Sequence, residues 1–224
     1  MSQIMYSGII PSVLEILGKH TLVAINQNTD LNLPEVEAMI LAETDGYTKE
    51  ETEYQIGKVM AVFKRNNPKE VKKARSEQEA VELWKARKSA YAVLARIKTH
   101  FTLEDVTVPM ARIAELLKGI EAISRKYDIQ IATFGHAGDG NLHPQMLYDG
   151  YDPDQVRRVD EASGELFKLA VDLHGTLTGE HGIGLSKAPY MTLEHDPVAM
   201  DVMRSIKGLL DPLNVLNPGK MALG

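Results

Sequence analysis

Two histidines flank a glycine-rich turn in residues 131–148, where one apolar run enters the turn and a second leaves it. Asp139-Gly140 at the centre is a strong signal for a two-residue hairpin turn, because type I′ turns need positive φ at both central positions. Counting outward from this turn places His136 opposite His143 on one face, with β-carbons about 4.5–5.5 Å apart. Two imidazoles at this spacing can bind a metal ion. The alternative is a pair of structural histidines on a polar sheet face.

A second cluster lies in residues 176–184, where Glu180 and His181 stand side by side among three glycines. Glu180 would complete a set of two imidazoles and one carboxylate, which leaves an open position for water or substrate on a bound metal. His181 would then be free for proton transfer. The alternative is a loop in which only the glycines matter.

A cation falls on the apolar stripe of a helix predicted to begin at Ser76. Arg87 shares this stripe with Ala80, Leu83, Trp84, Tyr91 and Leu94. An unpaired buried charge is costly, so Arg87 needs an anionic partner. Two partners are compatible with the pattern: a protein carboxylate, or a substrate carboxylate held by the bidentate guanidinium fork.

Helix-start signals indicate the elements that position these residues. Capping boxes Thr48/Glu51 and Ser76/Glu79 predict two helices, and Asp-Pro pairs at 152–153 and 196–197 predict two more. One helix is predicted after Pro109, and a short one over residues 11–18. In the last helix, the predicted buried side consists of Val198, Met200, Met203, Ile206 and Leu209.

Strands are predicted over residues 36–43, 69–74 and 104–108, in addition to the hairpin. The order of strands and helices is compatible with a parallel α/β sheet, but the hairpin favours at least partly antiparallel pairing. The tail over residues 211–220 is rich in turn residues.

Composition excludes several classes of function. The 224 residues carry a net charge of −6, which argues against a nucleic-acid binder. There is no cysteine, so a disulfide framework, thiol catalysis and thiolate metal sites are excluded. No apolar run approaches membrane-spanning length and no signal-peptide pattern is present, so we expect a cytoplasmic protein without a membrane span.

Three motifs together carry a family resemblance. They are Gly-His-Ala-Gly-Asp-Gly-Asn-Leu-His over residues 135–143, Gly-Glu-His-Gly-Ile-Gly over residues 179–184, and Asn-Pro-Gly-Lys over residues 217–220. In this order they resemble the C-terminal domain of FAD-linked oxidases. This family includes D-2-hydroxyacid dehydrogenases, D-lactate dehydrogenases and the flavin subunit of glycolate oxidase. The resemblance covers nearly the whole chain and implies one domain over residues 1–224.

The resemblance implies an α+β fold, with an antiparallel sheet covered by helices and built from two ferredoxin-like units. It also implies oxidation of a D-2-hydroxy acid of the glycolate or D-lactate type to the 2-oxo acid. Arg87 would hold the substrate carboxylate. His136, His143 and Glu180 would hold a divalent metal, zinc or manganese, and His181 would accept the hydroxyl proton.

The resemblance further implies FAD as the redox cofactor, faced by Asn217 and Lys220 in the tail. The family's N-terminal FAD-binding domain is not in this sequence, so the chain is expected to be a fragment or separate domain, inactive alone. Other implied partners are the small 2-hydroxy acid, the FAD-binding domain and an iron–sulfur electron-transfer subunit.

Two other classes of function are compatible with the residues. Two histidines, one glutamate and an adjacent histidine can equally activate water in a metal-dependent hydrolase. A diverged, non-catalytic binding domain that keeps the fold is the second alternative.

Overall fold

Six strands and eight α-helices occur along residues 1–224, all of which the computed structural model describes. The strands are β1 (Val13–Gly18), β2 (Ala38–Glu43), β3 (His100–Leu103), β4 (Val106–Thr107), β5 (Gln130–His136) and β6 (Asn141–Tyr148). The helices are α1 (Ser2–Tyr6), α2 (Lys19–Asn28), α3 (Lys49–Arg65), α4 (Glu77–Leu94), α5 (Ile113–Tyr127), α6 (Pro153–Asp172), α7 (Met191–Glu194) and α8 (Pro197–Leu210). No helix is long and apolar enough to cross a bilayer.

The strands form one antiparallel sheet in the order β2-β1-β5-β6-β3, and β4 also pairs with β6 beside β3. The pairing of β1 with β5 joins the β1-α2-β2 unit to the later strands. The predicted α+β class, with an antiparallel sheet covered by helices, is therefore confirmed, and all six strands share a single sheet.

Helices cover both faces of this sheet, but unequally. On one face the larger core packs side chains such as Ile16, Ile131 and Met146 against α3, α5 and α6. On the other face a smaller core joins Leu17 and Phe134 to α2 and α4. Beyond this smaller core, the same face carries polar side chains, and that end holds the candidate site.

The predicted hairpin is present, but its predicted register is wrong by two residues. His136 pairs with Asn141, and Phe134 pairs with His143. Residues 137–140 form a longer turn because neighbouring backbone binds it: Gly138 N–H donates to the Leu14 carbonyl (3.0 Å), and Val108 N–H donates to the Gly140 carbonyl (3.1 Å). Since side chains alternate with a period of two, a two-residue shift leaves both histidines on one face. They are diagonal neighbours instead of direct partners.

The predicted helix over residues 11–18 is wrong, because this segment is strand β1. A short apolar run between Pro and Gly fits a buried strand as well as a helix, and periodicity cannot separate the two. The segment becomes a central strand, hydrogen-bonded to β2 on one side and β5 on the other.

Of two other strand predictions, one is wrong and one is right only in part. Residues 69–74 are irregular; Lys69 there donates to the Glu35 carbonyl (3.0 Å) and Lys73 pairs with Glu53 instead of entering the sheet. The strand predicted over residues 104–108 is limited to β4, while β3 was not predicted. After Pro109, one turn of 3-10 helix precedes α5.

The four predicted caps are confirmed. Backbone N–H groups donate to the side chains of Thr48, Ser76, Asp152 and Asp196 at the starts of α3, α4, α6 and α8. The predicted buried side of α8 is mostly wrong: Met200 is buried, whereas Val198, Ile206 and Leu209 are exposed. No other element of the chain covers Val198, Ile206 or Leu209, so helical spacing alone misassigned these positions.

The hairpin turn yields a stability prediction at Gly140. Its φ is +77°, and an added β-carbon would lie 2.0 Å from the Val108 carbonyl oxygen. Gly182 has φ +84° with open space around it. We therefore expect Gly182→Ala to cost about 1 kcal/mol from backbone strain. Gly140→Ala should cost about 3 kcal/mol, because the collision adds to the strain.

Urea unfolding of both variants and the wild type measures these free energies. Equal losses for the two variants would contradict the close contact between Gly140 and Val108.

Candidate metal centre

Three predicted ligands converge at the polar end of the sheet. The Glu180 Oε1 atom lies 3.0 Å from His143 Nε2 and 3.5 Å from His136 Nε2. The three ligand atoms all lie within 4.8 Å of one another. β5, β6 and the loop after α6 thus supply one side chain each to a single cluster.

A buried carboxylate fixes the orientation of His136. Glu15, on the neighbouring strand β1, is paired directly with His136, and its Oε1 lies 2.5 Å from His136 Nδ1. This contact leaves Nε2 on the side of Glu180. A carboxylate behind an imidazole is the usual second partner of a metal-bound histidine, because it sets the ring tautomer and orientation.

Glu15 also binds Arg87 of α4. The Arg87 Nε–H group donates to Glu15 Oε2 (2.6 Å), and the guanidinium lies over the Phe134 ring, 4.7 Å from its centroid. Arg87 thus has the protein carboxylate that one sequence interpretation required. Its two terminal nitrogens make no hydrogen bond to the protein, so the bidentate fork stays available to an anionic ligand.

The loop over residues 178–181, hereafter the 178–181 loop, is held by the carboxylate of Asp105. Its Oδ2 accepts three consecutive backbone N–H groups, from Gly179 (2.9 Å), Glu180 (3.0 Å) and His181 (2.9 Å), and the Thr178 hydroxyl. Burial raises the pKa of Asp105, but these hydrogen bonds outweigh burial and bring the pKa to about 2. Asp105 is therefore ionised at neutral pH and anchors the loop.

A buried lysine, Lys187, binds the backbone on both sides of this contact between Asp105 and the loop. Lys187 donates to the carbonyls of Asp105 (2.6 Å) and Leu177 (2.8 Å), and its Nζ lies 4.0 Å from Asp105 Oδ2. Burial lowers the pKa of Lys187, and the Glu104 and Asp105 carboxylates oppose this effect. Burial also raises the pKa of Glu104, which accepts a hydrogen bond from Ser163.

Gly179 allows the loop to approach the sheet. A β-carbon there would lie 2.3 Å from Thr107 Oγ1 and 2.6 Å from the Asn141 side chain. Only a residue without a β-carbon fits this contact, which explains sterically why a glycine precedes Glu180.

His143 and His181 stack on each other. Their rings are 5.0 Å apart with an interplanar angle of 12°. His143 is buried, and burial lowers its pKa, which favours the neutral imidazole that a metal requires. His181 is 40% exposed, with its Nε2 3.8 Å from Glu180 Oε1. It is thus placed beside the three ligands while remaining accessible.

The buried side-chain atoms without a hydrogen-bond partner all lie in this region. They are Asp105 Oδ1, Thr107 Oγ1, Asn141 Oδ1, His143 Nδ1, and Gln145 Oε1 and Nε2. Buried polar atoms are normally paired, so such a concentration marks a place where a ligand or ordered water is expected.

The donor set fits a divalent cation. Two imidazoles and a carboxylate suit zinc, and imidazole with carboxylate is compatible with manganese. The unpaired atoms around His143 and the Glu15 contact behind His136 support this fit. The residues would hold a metal on three protein ligands, with room for a further one.

Asn217 and Lys220 are exposed residues of the tail. The tail returns to the segment that follows the 178–181 loop, where Met221 N–H donates to the Gly184 carbonyl (2.8 Å). Their predicted contact with the flavin stays a prediction.

Three residues of the site were missed by the sequence analysis: Glu15, Asp105 and Lys187. Glu15 interrupts the apolar run Val-Leu-Glu-Ile-Leu over residues 13–17, and this carboxylate was a usable signal. Asp105 and Lys187 act through contacts with distant backbone, which no local pattern reveals.

A model of the C-terminal domain of FAD linked oxidases matches residues 1–221. The glycolate oxidase subunit GlcD of Bacillus subtilis is 44% identical over 222 residues, which cover 99% of this chain and 47% of the relative. The corresponding subunit of Escherichia coli K12 is 32% identical, with 98% and 44% covered. The mitochondrial D-lactate dehydrogenase [cytochrome] of Arabidopsis thaliana is also 32% identical, with 97% and 38% covered.

The chain thus spans less than half the length of these curated relatives. Among solved structures, substrate-bound p-cresol methylhydroxylase superposes with a TM-score of 0.68 at 15% identity, covering 96% of this chain and 47% of that one. At this identity the likeness concerns the fold alone.

The depressed pKa of Asp105 predicts a pH-dependent contribution to stability. Its pKa is about 2 in the folded chain against an ordinary 3.8, so the contribution is present above pH 3.8 and is lost as the pH falls towards 2. Integrated over this shift, it amounts to about 2 kcal/mol. Asp105→Asn removes it at neutral pH.

Urea unfolding of wild type and Asp105→Asn between pH 7 and pH 2 measures this term. The free-energy difference between them should shrink by about 2 kcal/mol as the pH drops below 4. A difference that does not change with pH would contradict the ionised, hydrogen-bonded state of Asp105.

Proposed function

The chain belongs to the FAD linked oxidases, whose C-terminal domain it matches, and on this premise we propose that it is the substrate-binding half of an FAD-dependent enzyme that oxidises a D-2-hydroxy acid. The product is the corresponding 2-oxo acid. The observation that carries the proposal is the convergence of His136, His143 and Glu180 near a third histidine, His181, and an arginine, Arg87.

The names of the relatives support this class of substrate. They are described as a glycolate oxidase subunit and as D-lactate dehydrogenases, and glycolate and D-lactate are both small 2-hydroxy acids. The site offers one group for each part of such a molecule: a cation for the carboxylate, and a metal cluster with a base for the hydroxyl.

Arg87 binds the substrate carboxylate in this proposal. Its Nε is held by Glu15 and its guanidinium plane by Phe134, so the direction of the fork is fixed before substrate arrives. The terminal nitrogens then form a bidentate pair with the carboxylate. A preorganised fork loses less entropy on binding than a free side chain.

His136, His143 and Glu180 would hold a divalent metal, which when bound would supply a Lewis acid that lowers the pKa of an adjacent hydroxyl. His181 accepts the hydroxyl proton, because an accessible imidazole is a suitable base near neutral pH. The stack on His143 keeps the His181 ring beside the ligands.

The reaction balances with one two-electron acceptor. His181 takes the hydroxyl proton, and a bound flavin would supply the two-electron acceptor for the C2 hydrogen and its electron pair. The carbon–oxygen bond becomes the carbonyl of the 2-oxo acid. We assign the flavin mainly to an FAD-binding domain outside this sequence, so turnover requires that domain.

Partners beyond this domain follow from the relatives. Two of them are subunits of a glycolate oxidase, which supports a partner subunit for this protein too. The iron–sulfur clusters of that partner and the cytoplasmic location stay predictions from the sequence.

Metal binding is the first test. We expect the purified chain to bind one zinc ion, and His143→Ala to weaken binding at least 100-fold because a ligand is lost. Glu180→Gln, which leaves no cavity, should weaken binding at least tenfold. Isothermal titration calorimetry measures the affinities. His100→Ala, which removes an exposed histidine of β3, is the control.

Wild-type affinity in His143→Ala and Glu180→Gln would overturn the three-ligand assignment. Hydrolysis of generic esters by the metal-loaded chain would instead favour the metal-dependent hydrolase.

Substrate binding tests Arg87. We expect Arg87→Lys to weaken binding of D-lactate to the zinc-loaded chain at least tenfold, since lysine keeps the charge but lacks the fork and the Nε contact with Glu15. Calorimetry with D-lactate and glycolate measures this loss. Lys88→Arg, at the exposed neighbouring position, should bind like the wild type. Equal binding by Arg87→Lys would exclude Arg87 as the carboxylate ligand.

A further inference from the structure

Two complementary buried atoms face each other behind His143. His143 Nδ1 lies 3.9 Å from Asp105 Oδ1, and neither atom has any hydrogen-bond partner. The other ring nitrogen, Nε2, lies 3.0 Å from Glu180 Oε1. A neutral imidazole has one N–H, so the Nδ1 and Nε2 sides compete for a single proton.

Without a metal, the proton belongs on Nε2, where Glu180 accepts it at hydrogen-bond distance. His143 Nδ1 then presents a lone pair to the Asp105 carboxylate, which explains a separation too long for a hydrogen bond. An imidazole that binds a metal through Nε2 must carry its proton on Nδ1. That proton then needs an acceptor, and Asp105 Oδ1 is the unpaired acceptor beside it.

His136 has the same kind of carboxylate partner, but at hydrogen-bond distance. Its Nδ1 is 2.5 Å from Glu15 Oε1 on the neighbouring strand. The two histidines are therefore each backed by a buried carboxylate, Glu15 for one and Asp105 for the other. Only the pair of His143 and Asp105 is too far apart for a hydrogen bond.

Asp105 is also bound to the third ligand through its other oxygen. Oδ2 accepts the backbone N–H groups of Gly179, Glu180 and His181, which fixes the loop that carries Glu180. One carboxylate thus contacts the loop with one oxygen and faces His143 with the other. Lys187 lies within 4.0 Å and balances its charge.

We propose that Asp105 is the positioning residue of this metal centre, which holds the Glu180 loop and accepts the Nδ1 proton of His143 when Nε2 binds the cation. The proposal rests on the metal site in the proposed function and deepens it. It assigns a role to a residue that touches neither metal nor substrate.

The test compares zinc affinity and histidine tautomer in wild type and Asp105→Asn. Calorimetry should show at least tenfold weaker zinc binding by Asp105→Asn, the range expected for loss of an outer-shell partner. Long-range proton–nitrogen NMR of histidine-labelled chain should show the His143 proton moving from Nε2 to Nδ1 as zinc is added. The asparagine variant should show a smaller population of that tautomer, a result that a purely structural role would not produce.

Glu104→Gln is the matched control. Glu104 is the adjacent buried carboxylate, but its side chain accepts a hydrogen bond from Ser163 and makes none with His143 or the loop. It should bind zinc like the wild type. Wild-type zinc affinity in Asp105→Asn, or a His143 proton that stays on Nε2 in the zinc-loaded wild type, would overturn the proposal.

A folding defect in Asp105→Asn does not block the test, because the tautomer experiment uses the wild type alone. Failure of the proposed function is also distinguishable: no zinc binding by wild type overturns the metal site, and the tautomer assignment falls with it. Amide hydrogen exchange of metal-free protein still decides the loop contact, since residues 179–181 should exchange faster in Asp105→Asn than in Glu104→Gln. Equal rates would overturn that part.

Discussion

Antiparallel pairing of four neighbouring strands is the constraint on which the site depends. Residues opposed in such a sheet point to the same face, and the observed register aligns Glu15, His136, Asn141 and Thr107 in one row across β1, β5, β6 and β4. His143 occupies the next row, opposite Phe134. The loop that carries Glu180 packs against this row of side chains. Its close approach is possible because Gly179, which has no β-carbon, lies against Thr107 and Asn141. The sheet thus positions two ligands before any loop is added.

Charge balance around the cluster explains why a cation fits there. The carboxylate of Glu15 is paired with Arg87, and that of Asp105 lies near Lys187. Glu180 has no lysine or arginine partner and contacts only the imidazoles of His136, His143 and His181. A carboxylate that lies between imidazoles and has no lysine or arginine beside it is an arrangement that a divalent cation would complete. The three carboxylates thus differ in what they contact. Glu15 orients His136, Asp105 binds the backbone of the 178–181 loop, and Glu180 lies between the imidazoles.

The sequence predicted that His136, His143 and Glu180 lie together better than it predicted the elements that carry them. The hairpin register was wrong by two residues, yet His136 and His143 stayed together, because only an odd shift exchanges the faces of a strand. Capping side chains predicted four helix starts, since a cap is a local interaction. Strand β1 was missed because its apolar run carries no periodic signal that separates strand from helix. Glu15 and Asp105 were missed because their partners, His136 and His181, lie 121 and 76 residues away in the sequence.

These separations have a consequence for how the protein is made. Contacts between residues far apart along the chain close late in folding, because the intervening segment loses much of its freedom when they form. During synthesis, Glu15 is added to the chain 121 residues before its partner His136. Asp105 is likewise added 76 residues before its partner His181 in the 178–181 loop. The three candidate ligands therefore cannot come together before Glu180 has been synthesised. A chain that stops before the 178–181 loop would keep His136 and His143 on one face of the sheet but lack the Glu180 carboxylate that lies beside both.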